Sequence, residues 1–361
     1  MKVVVYAICK NELAFVDRWV NSMSEADEIC VLDTGSTDES AARLKLRGVQ
    51  VHTQAVKPWR FDAARNLSLS FVPEDTDICV CTDLDEVFAS GWRKKLENAW
   101  LPGTVQARYR YTWSFTPSGA EGVVFYQEKV HCRHGFTWVH PVHETLKWTL
   151  DAPAPTVTAL GVQLNHYPDA AKSRSQYLPL LELAVRETPN DDRSIHYLGR
   201  EYFFHRRWDD CLRTLARHLS LPSATWCDER AASMRYMAKC YLQKGEPEKA
   251  KKWYLYAIAE APHLREAYID LAQLLYEEEN WEGVLYFTDC ALAIKERPLS
   301  YICEENSLGA LPHDLRAIAY YRTNRVQKAL HETDLALRFS PNDARFLENR
   351  QLLQKKSGHP L

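Results

Sequence analysis

The stretch DICVCTDLDEVF (77–88) decides the fold, because an apolar run from Ile78 to Cys81 ends abruptly on Asp83, Asp85 and Glu86. So short and continuous an apolar run reads as a strand buried on both faces, the condition of a parallel sheet covered by helices. Carboxylates at the carboxyl end of such a strand project into the crevice where doubly wound sheets bind ligands. Working outward, VVVYAI (3–8), EICVLD (28–33) and VQVHTQ (49–54) read as three further strands. Between them, Phe15, Val16, Trp19, Val20 and Met23 share one helical face. STDES (36–40) is expected to open a second helix with Ser36 or Thr37 as its N-cap. A third runs from about Asp62 to Leu69, and a fourth carries Trp92, Leu96 and Trp100. The pattern is βαβαβαβα.

After residue 103 the texture changes. VQARYRYTW (105–113) and VVFYQEKVHC (123–132) predict antiparallel strands added at one edge of the sheet, and DAPAPTV (151–157) a turn or loop. Beyond about residue 170 every period is helical, and the chain repeats itself. Residues 231–264 place Ala238, Tyr241, Ala250, Tyr254, Ala257 and Pro262 at the small and aromatic positions of a 34-residue tetratricopeptide unit. Ala317, Tyr320, Ala329, Ala336 and Pro341 mark another, Leu198, Gly199 and Tyr202 an earlier one, and Leu271, Ala272, Val284 and Ala291 a weaker one between. Four helical hairpins resembling tetratricopeptide repeats are therefore expected over roughly 189–345. Small residues let paired helices approach closely, while the aromatic residues fill the gaps.

Composition excludes several classes. Of the 361 residues, 46% are hydrophobic and 26% charged, which rules out disordered and fibrous chains. Splitting the chain after residue 170 gives 17 Lys/Arg against 21 Asp/Glu, then 28 against 27, so neither part carries the positive excess of a phosphate-neutralising surface. Nucleic acid is disfavoured as a partner. The N-terminus enters a strand directly and no window holds 18 uninterrupted apolar residues, so a cytoplasmic protein without a transmembrane segment is expected. The ten cysteines include no CxxC pair and read as reduced core residues, with Cys79 and Cys81 expected on opposite faces of their strand.

Four segments, AICKNE (7–12), VLDTGSTDES (31–40), FDAARNLSL (61–69) and CTDLDE (81–86), occur in the order and spacing of the family 2 glycosyltransferases, which the first 170 residues resemble. The resemblance implies an α/β GT-A (Rossmann-like) nucleotide-sugar-binding domain and inverting transfer of a sugar from a nucleotide diphosphate donor. It places Asn11, Glu12, Asp33, Arg65 and Asp83 around the donor and Asp85 on the metal. Mn2+ or Mg2+ is the implied cofactor, since both prefer oxygen ligands and keep substrate phosphates in their shell. Asp33 is followed by Thr34 where many members carry a second acid, which leaves the base of the donor open. For Asp33 an Asx turn capping the next helix competes with the ligand role.

Inverting transfer needs a general base for the acceptor proton. WVHPVHETLKW (138–148) supplies Glu144 in a VHE sequence that resembles lipopolysaccharide-core members of the family, and Glu144 is the candidate base, with Asp85 and Glu86 as the other candidates. His166, in LNHYPD (164–169), suits the late-chain histidine that completes a metal shell in many GT-A enzymes. His143 is a candidate contact for pyrophosphate or acceptor. His131, His134 and His140 read as solvated or packed, and Trp113, Trp138 and Trp148 as core or as sugar-stacking platforms.

The expected organisation is a GT-A domain over 1–175, a boundary helix over 176–188, and an all-α tetratricopeptide-like solenoid over 189–361. The expected function is a metal-dependent hexosyltransferase moving sugar, most simply from a UDP-hexose, to a protein, peptide or glycan acceptor. A scaffold that binds through its repeats without catalysis is the competing reading, and a modified nucleic-acid base the alternative acceptor. The solenoid is expected to hold the acceptor, a partner protein or a second copy of the chain, with Arg200, Tyr236 and Gln273 as contacts on its concave face.

Overall fold

The computed structural model describes residues 1–116, 119–169 and 175–358. The chain divides into two compact units, Met1–Ser114 with Val124–Glu187, and Phe115–Val123 with Thr188–Leu361. Among the described residues no helix is long and apolar enough to cross a membrane.

The first unit runs β1 (Val3–Cys9), α1 (Leu13–Met23), β2 (Glu28–Asp33), α2 (Ser40–Leu46), β3 (Gln50–Thr53), α3 (Phe61–Ser70), β4 (Ile78–Cys81), β5 (Glu86–Phe88) and α4 (Trp92–Ala99). It continues through β6 (Gln106–Thr112), β7 (Val124–His131), β8 (Phe136–Val139), β9 (Thr145–Trp148), β10 (Thr156–His166) and α5 (Tyr177–Glu187). Eight strands form one sheet in the order β3-β2-β1-β4-β7-β6-β10-β5, and β8 pairs with β9 as a separate hairpin. The first four strands are parallel, with β1 between β2 and β4, so the crevice opens at the carboxyl ends of β1, β2 and β4. β7 runs antiparallel to β4 and to β6, which extends the sheet beyond β4 as the aromatic alternation predicts.

Burial explains the sequence pattern. Val3, Val5, Val31, Ile78 and Val80 pack with Trp19, Met23, Trp92 and Leu96 on one face. Val4, Tyr6, Cys30, Cys79, Cys81 and Trp138 form a smaller cluster. Cys79 and Cys81 therefore lie together rather than on opposite faces, as the two-residue period of the pleat requires. All ten cysteines are free thiols. The helix after β2 also begins later than expected: Ser36 and Thr37 sit in the preceding turn, and α2 starts at Ser40 without a side-chain cap.

In the second unit the hairpins are α6 (Asp192–Phe204) with α7 (Trp208–Ser220), α8 (Cys227–Gln243) with α9 (Pro247–Glu260), and α10 (Glu266–Glu277) with α11 (Trp281–Ala293). A short α12 (Glu305–Leu308) precedes the fourth pair, α13 (Leu311–Arg322) with α14 (Val326–Phe339), and α15 (Ala344–Ser357) closes the array. The solenoid is tetratricopeptide-like. Ala238, Ala250, Ala257, Ala272, Ala291, Ala329 and Ala336 are fully buried where paired helices meet. Gly199 shows why the size rule holds, since a Cβ there would stand 2.2 Å from Leu215 Cδ2. Gly199→Ala is expected to cost the second unit about 1–3 kcal/mol through overpacking, measurable as a lower urea midpoint. An unchanged midpoint would mean that α6 and α7 can separate without loss.

The fourth unit starts later than a strict repeat places it. The connection from Ile294 to Ala310 carries the extra length, and the sequence pattern offers no reason to expect it to pack against earlier repeats.

Candidate active site

The loops after β1 and β2 interlock. Asn11, at φ 56°, accepts from Thr37 N at 2.7 Å through Oδ1, and its own N–H donates to Ser36 Oγ at 2.9 Å. Asp33 accepts from Ser36 N at 3.1 Å and from Ser36 Oγ at 2.5 Å, an Asx turn that holds its buried carboxylate. Glu12, also buried, donates its N–H to Ser40 Oγ at 2.8 Å. These three residues meet at the carboxyl edge of β1 and β2, where they shape the loops.

A second group gathers at the end of β4. Arg65, only 4% exposed on α3, donates through Nη2 to Asp83 at 2.9 and 3.1 Å and through Nε to Glu144, while its guanidinium lies 5.2 Å from the Trp138 ring centroid. The neighbouring Asn66 pins the hairpin that leads to Glu144. Its Oδ1 accepts from Trp138 N and its Nδ2 donates to Trp138 O, both at 2.8 Å. One dipeptide on α3 thus binds Glu144 directly and fixes the strand before it. His140 and His143 bracket Pro141 in left-handed conformations, φ 75° and 52°, which non-glycine residues adopt only where the surroundings enforce it.

Lys129, on β7, is a member that the sequence did not reveal. Its Nζ lies 3.0 Å from Asp83 Oδ2 and 3.3 Å from Glu86 Oε1. A single lysine in a polar, alternating strand looks like any solvent-facing one, and only the antiparallel register of β7 beside β4 brings it here. Burial would push Asp83 upward, but Arg65 and Lys129 outweigh it and hold the carboxyl well below the usual range. Glu86 is the opposite case, because burial dominates and raises it. Tyr111 Oη donates to Glu86 Oε1 at 2.8 Å and Asp83 N donates to Oε2 at 2.8 Å. With 1% exposure and both oxygens engaged, Glu86 is a brace beneath the loop rather than an accessible base.

Asp85 faces the other way. His166 Nε2 stands 3.4 Å from Asp85 Oδ2, and His166 Nδ1 lies 3.0 Å from the Trp113 carbonyl oxygen. Nδ1–H donating to that carbonyl turns Nε2 toward Asp85, where it pairs with the carboxylate when protonated and can offer its lone pair to a metal ion when neutral. Burial lowers the His166 pKa, but the Asp85 carboxylate outweighs it and the net direction is upward. The half-exposed Trp113 ring stacks on the imidazole at 4.3 Å and 20°. His131 is packed, 2.7 Å from Tyr6 Oη, and burial pushes its pKa down to about 4. His134 is exposed, Trp138 is core, and Trp148 packs on Phe136.

Residues 4–131 match the family model described as Glycosyl transferase family 2. The first unit is similar to the family 2 glycosyltransferases over those residues. Solved structures similar to the chain cover about half of it. PilF of Pseudomonas aeruginosa is 15% identical with a TM-score of 0.38, over 49% of this chain and 72% of that one. A thermophilic TPR protein of Thermus thermophilus is 16% identical with a TM-score of 0.37, over 50% and 90%. The APC/C hetero-tetramer Cut9–Hcn1 is 11% identical with a TM-score of 0.41, and this chain spans 51% of its own length and 33% of that chain. The match ends at His131, so Glu144 and His166 lie beyond it.

Proposed function

We propose that the first unit is a metal-dependent inverting glycosyltransferase that takes a nucleotide diphosphate sugar, a UDP-hexose in the simplest case, and delivers the sugar to a protein, peptide or glycan. The observation that carries this reading is the pairing of Asp85 with a correctly oriented His166 beside the linked Asp83–Arg65–Glu144 group. Asp85 and His166 would hold Mn2+ or Mg2+, which when bound neutralises charge developing on a departing diphosphate. The donor set fits a hard or borderline divalent ion, with one carboxylate oxygen and one imidazole nitrogen supplied by the protein. Asn11, Glu12 and Asp33 act by fixing the loops on which the nucleoside rests.

Asp83 anchors Arg65 and Lys129, and Arg65 in turn orients Glu144. One oxygen of Glu144 is engaged by Arg65 Nε, so Oε2 takes the acceptor proton as the acceptor oxygen bonds to the anomeric carbon. The diphosphate leaves from the opposite face with the electron pair of the broken bond. Trp113 offers a ring face to a sugar.

Glu144→Gln is expected to preserve donor affinity and to slow transfer by roughly 10²–10⁴-fold, because the amide keeps the shape without the basicity. Transfer rates and donor titration on the same preparation check this, and transfer within a factor of two of wild type would move the base to Asp85. A binding scaffold without turnover is the second reading. It is favoured by the pairing of Arg65 with both Asp83 and Glu144 and of Lys129 with Asp83, which gives these groups a structural role of their own.

A further inference from the structure

Three side chains that the sequence keeps apart meet at the start of α8. Cys227 and Asp228 are the first two residues of that helix, and His263 lies in the turn between α9 and α10, thirty-five residues beyond Asp228. Asp228 Oδ1 accepts from Cys227 Sγ at 3.4 Å and stands 2.8 Å from His263 Nε2. One ligand atom from each of the three falls within 4.8 Å of the other two. The Asp228 side chain is 10% exposed and that of His263 51%, with Cys227 partly buried, so the group has a fixed floor and an open side.

A thiolate, an imidazole and a carboxylate make a donor set for zinc. The sulfur selects against Mg2+ and Mn2+, and the two anions balance the charge of a divalent ion. The distances agree with that chemistry. Around a tetrahedral Zn2+ a sulfur and an oxygen ligand stand about 3.5 Å apart, and a nitrogen and an oxygen ligand about 3.3 Å. Cys227 and Asp228 already hold the first spacing, whereas His263 must draw back by about half an ångström, which its exposed position permits. Without an ion, burial and the neighbouring Asp228 carboxylate push the Cys227 thiol's pKa up, so the thiol proton is released to solvent when the metal binds. The other His-and-carboxylate group among the described residues, Asp192, His218 and Glu229, has no thiol. Its members are also engaged elsewhere, His218 Nδ1 with Ser233 Oγ at 3.0 Å and Glu229 Oε2 with the Tyr301 hydroxyl at 2.7 Å.

We infer that Cys227, Asp228 and His263 form a zinc site on the second unit, with three protein ligands and a fourth position left to water. Zn2+ there ties the start of α8 to the turn that leads into α10, and so fastens the second hairpin to the third. No ligand pair of the CxxC kind marks it in the sequence, because two ligands are adjacent and the third arrives from the next hairpin's turn. The inference is independent of the transferase reading, because all three residues belong to the second unit.

The test uses the full chain, stripped of metal with EDTA, kept reduced, and titrated with Co2+ as a probe for zinc. The wild-type chain should develop the visible absorption of tetrahedral cobalt together with a thiolate-to-cobalt charge-transfer band, and Zn2+ should bleach both. Cys227→Ser should abolish the charge-transfer band, and His263→Ala should weaken Co2+ binding at least tenfold. Cys290→Ser, a thiol of similar exposure in the same unit, should keep the band, and so should Asp85→Ala, which separates this site from the first unit's. Absence of the band in wild type, its persistence in Cys227→Ser, or unchanged affinity in His263→Ala overturns the inference. Thermal unfolding covers the case in which Cys227→Ser misfolds. Excess Zn2+ should raise the midpoint of wild type and raise it less in His263→Ala, and an equal shift in both also overturns it.

Discussion

Asp85→Ala should lower transfer by about 10³-fold or more while the first unit keeps its stability. The carboxylate faces His166 Nε2, and stabilisation of a leaving diphosphate is worth several kcal/mol, each 1.36 kcal/mol being about tenfold in rate. Folding should be spared because the ion pairs that brace the loop run through Asp83 and Glu86. Titration with Mn2+ followed by electron paramagnetic resonance separates this role from that of a base. Both Asp85→Ala and His166→Ala should weaken Mn2+ binding, whereas Glu144→Gln should not. Full Mn2+ affinity in Asp85→Ala alongside lost transfer would assign the residue to proton transfer instead.

Arg65→Ala should damage stability as well as activity. The guanidinium is almost completely enclosed and joins two carboxylates from different loops, so its removal leaves the partly buried Glu144 without its cation and Asp83 with Lys129 alone. Breaking a buried ion pair from one side costs about 3–5 kcal/mol, since the remaining charge stays desolvated. Urea unfolding monitored on the first unit should show that loss. Arg65→Lys should recover part of it, because it restores charge without the fork that reaches both acids. A loss below about 1 kcal/mol for Arg65→Ala would mean that water reaches Glu144 freely and that Arg65 does not set its orientation.

The parallel half of the sheet was legible because buried strands need continuous apolar runs, and β1, β2 and β4 have them. The four helical hairpins were legible for a related reason, since alanines at helix contacts leave a period that survives in sequence. The acidic loop after β4 was placed correctly by its position at a strand end. What escaped depends on register and long-range packing. Lys129 reaches Asp83 only because β7 pairs antiparallel with β4, and Asn66 matters only because β8 passes beside α3. β5 was missed because three residues paired to β10 leave too short a signal to read. The turn after β2 misled the helix start, since a serine that caps a helix and a serine that closes an Asx turn carry the same hydroxyl at the same spacing. The connection Ile294–Ala310 has no period at all, and its contacts are with helices more than sixty residues earlier as well as with near neighbours.

Release of nucleoside diphosphate from a panel of nucleotide sugars, measured on the full chain with Mn2+ and again with excess EDTA, tests the central claim most directly. The account predicts release from at least one donor with Mn2+, abolished by EDTA and by Asp85→Ala. No release from any donor with Mn2+, or release that persists undiminished in EDTA, would contradict it.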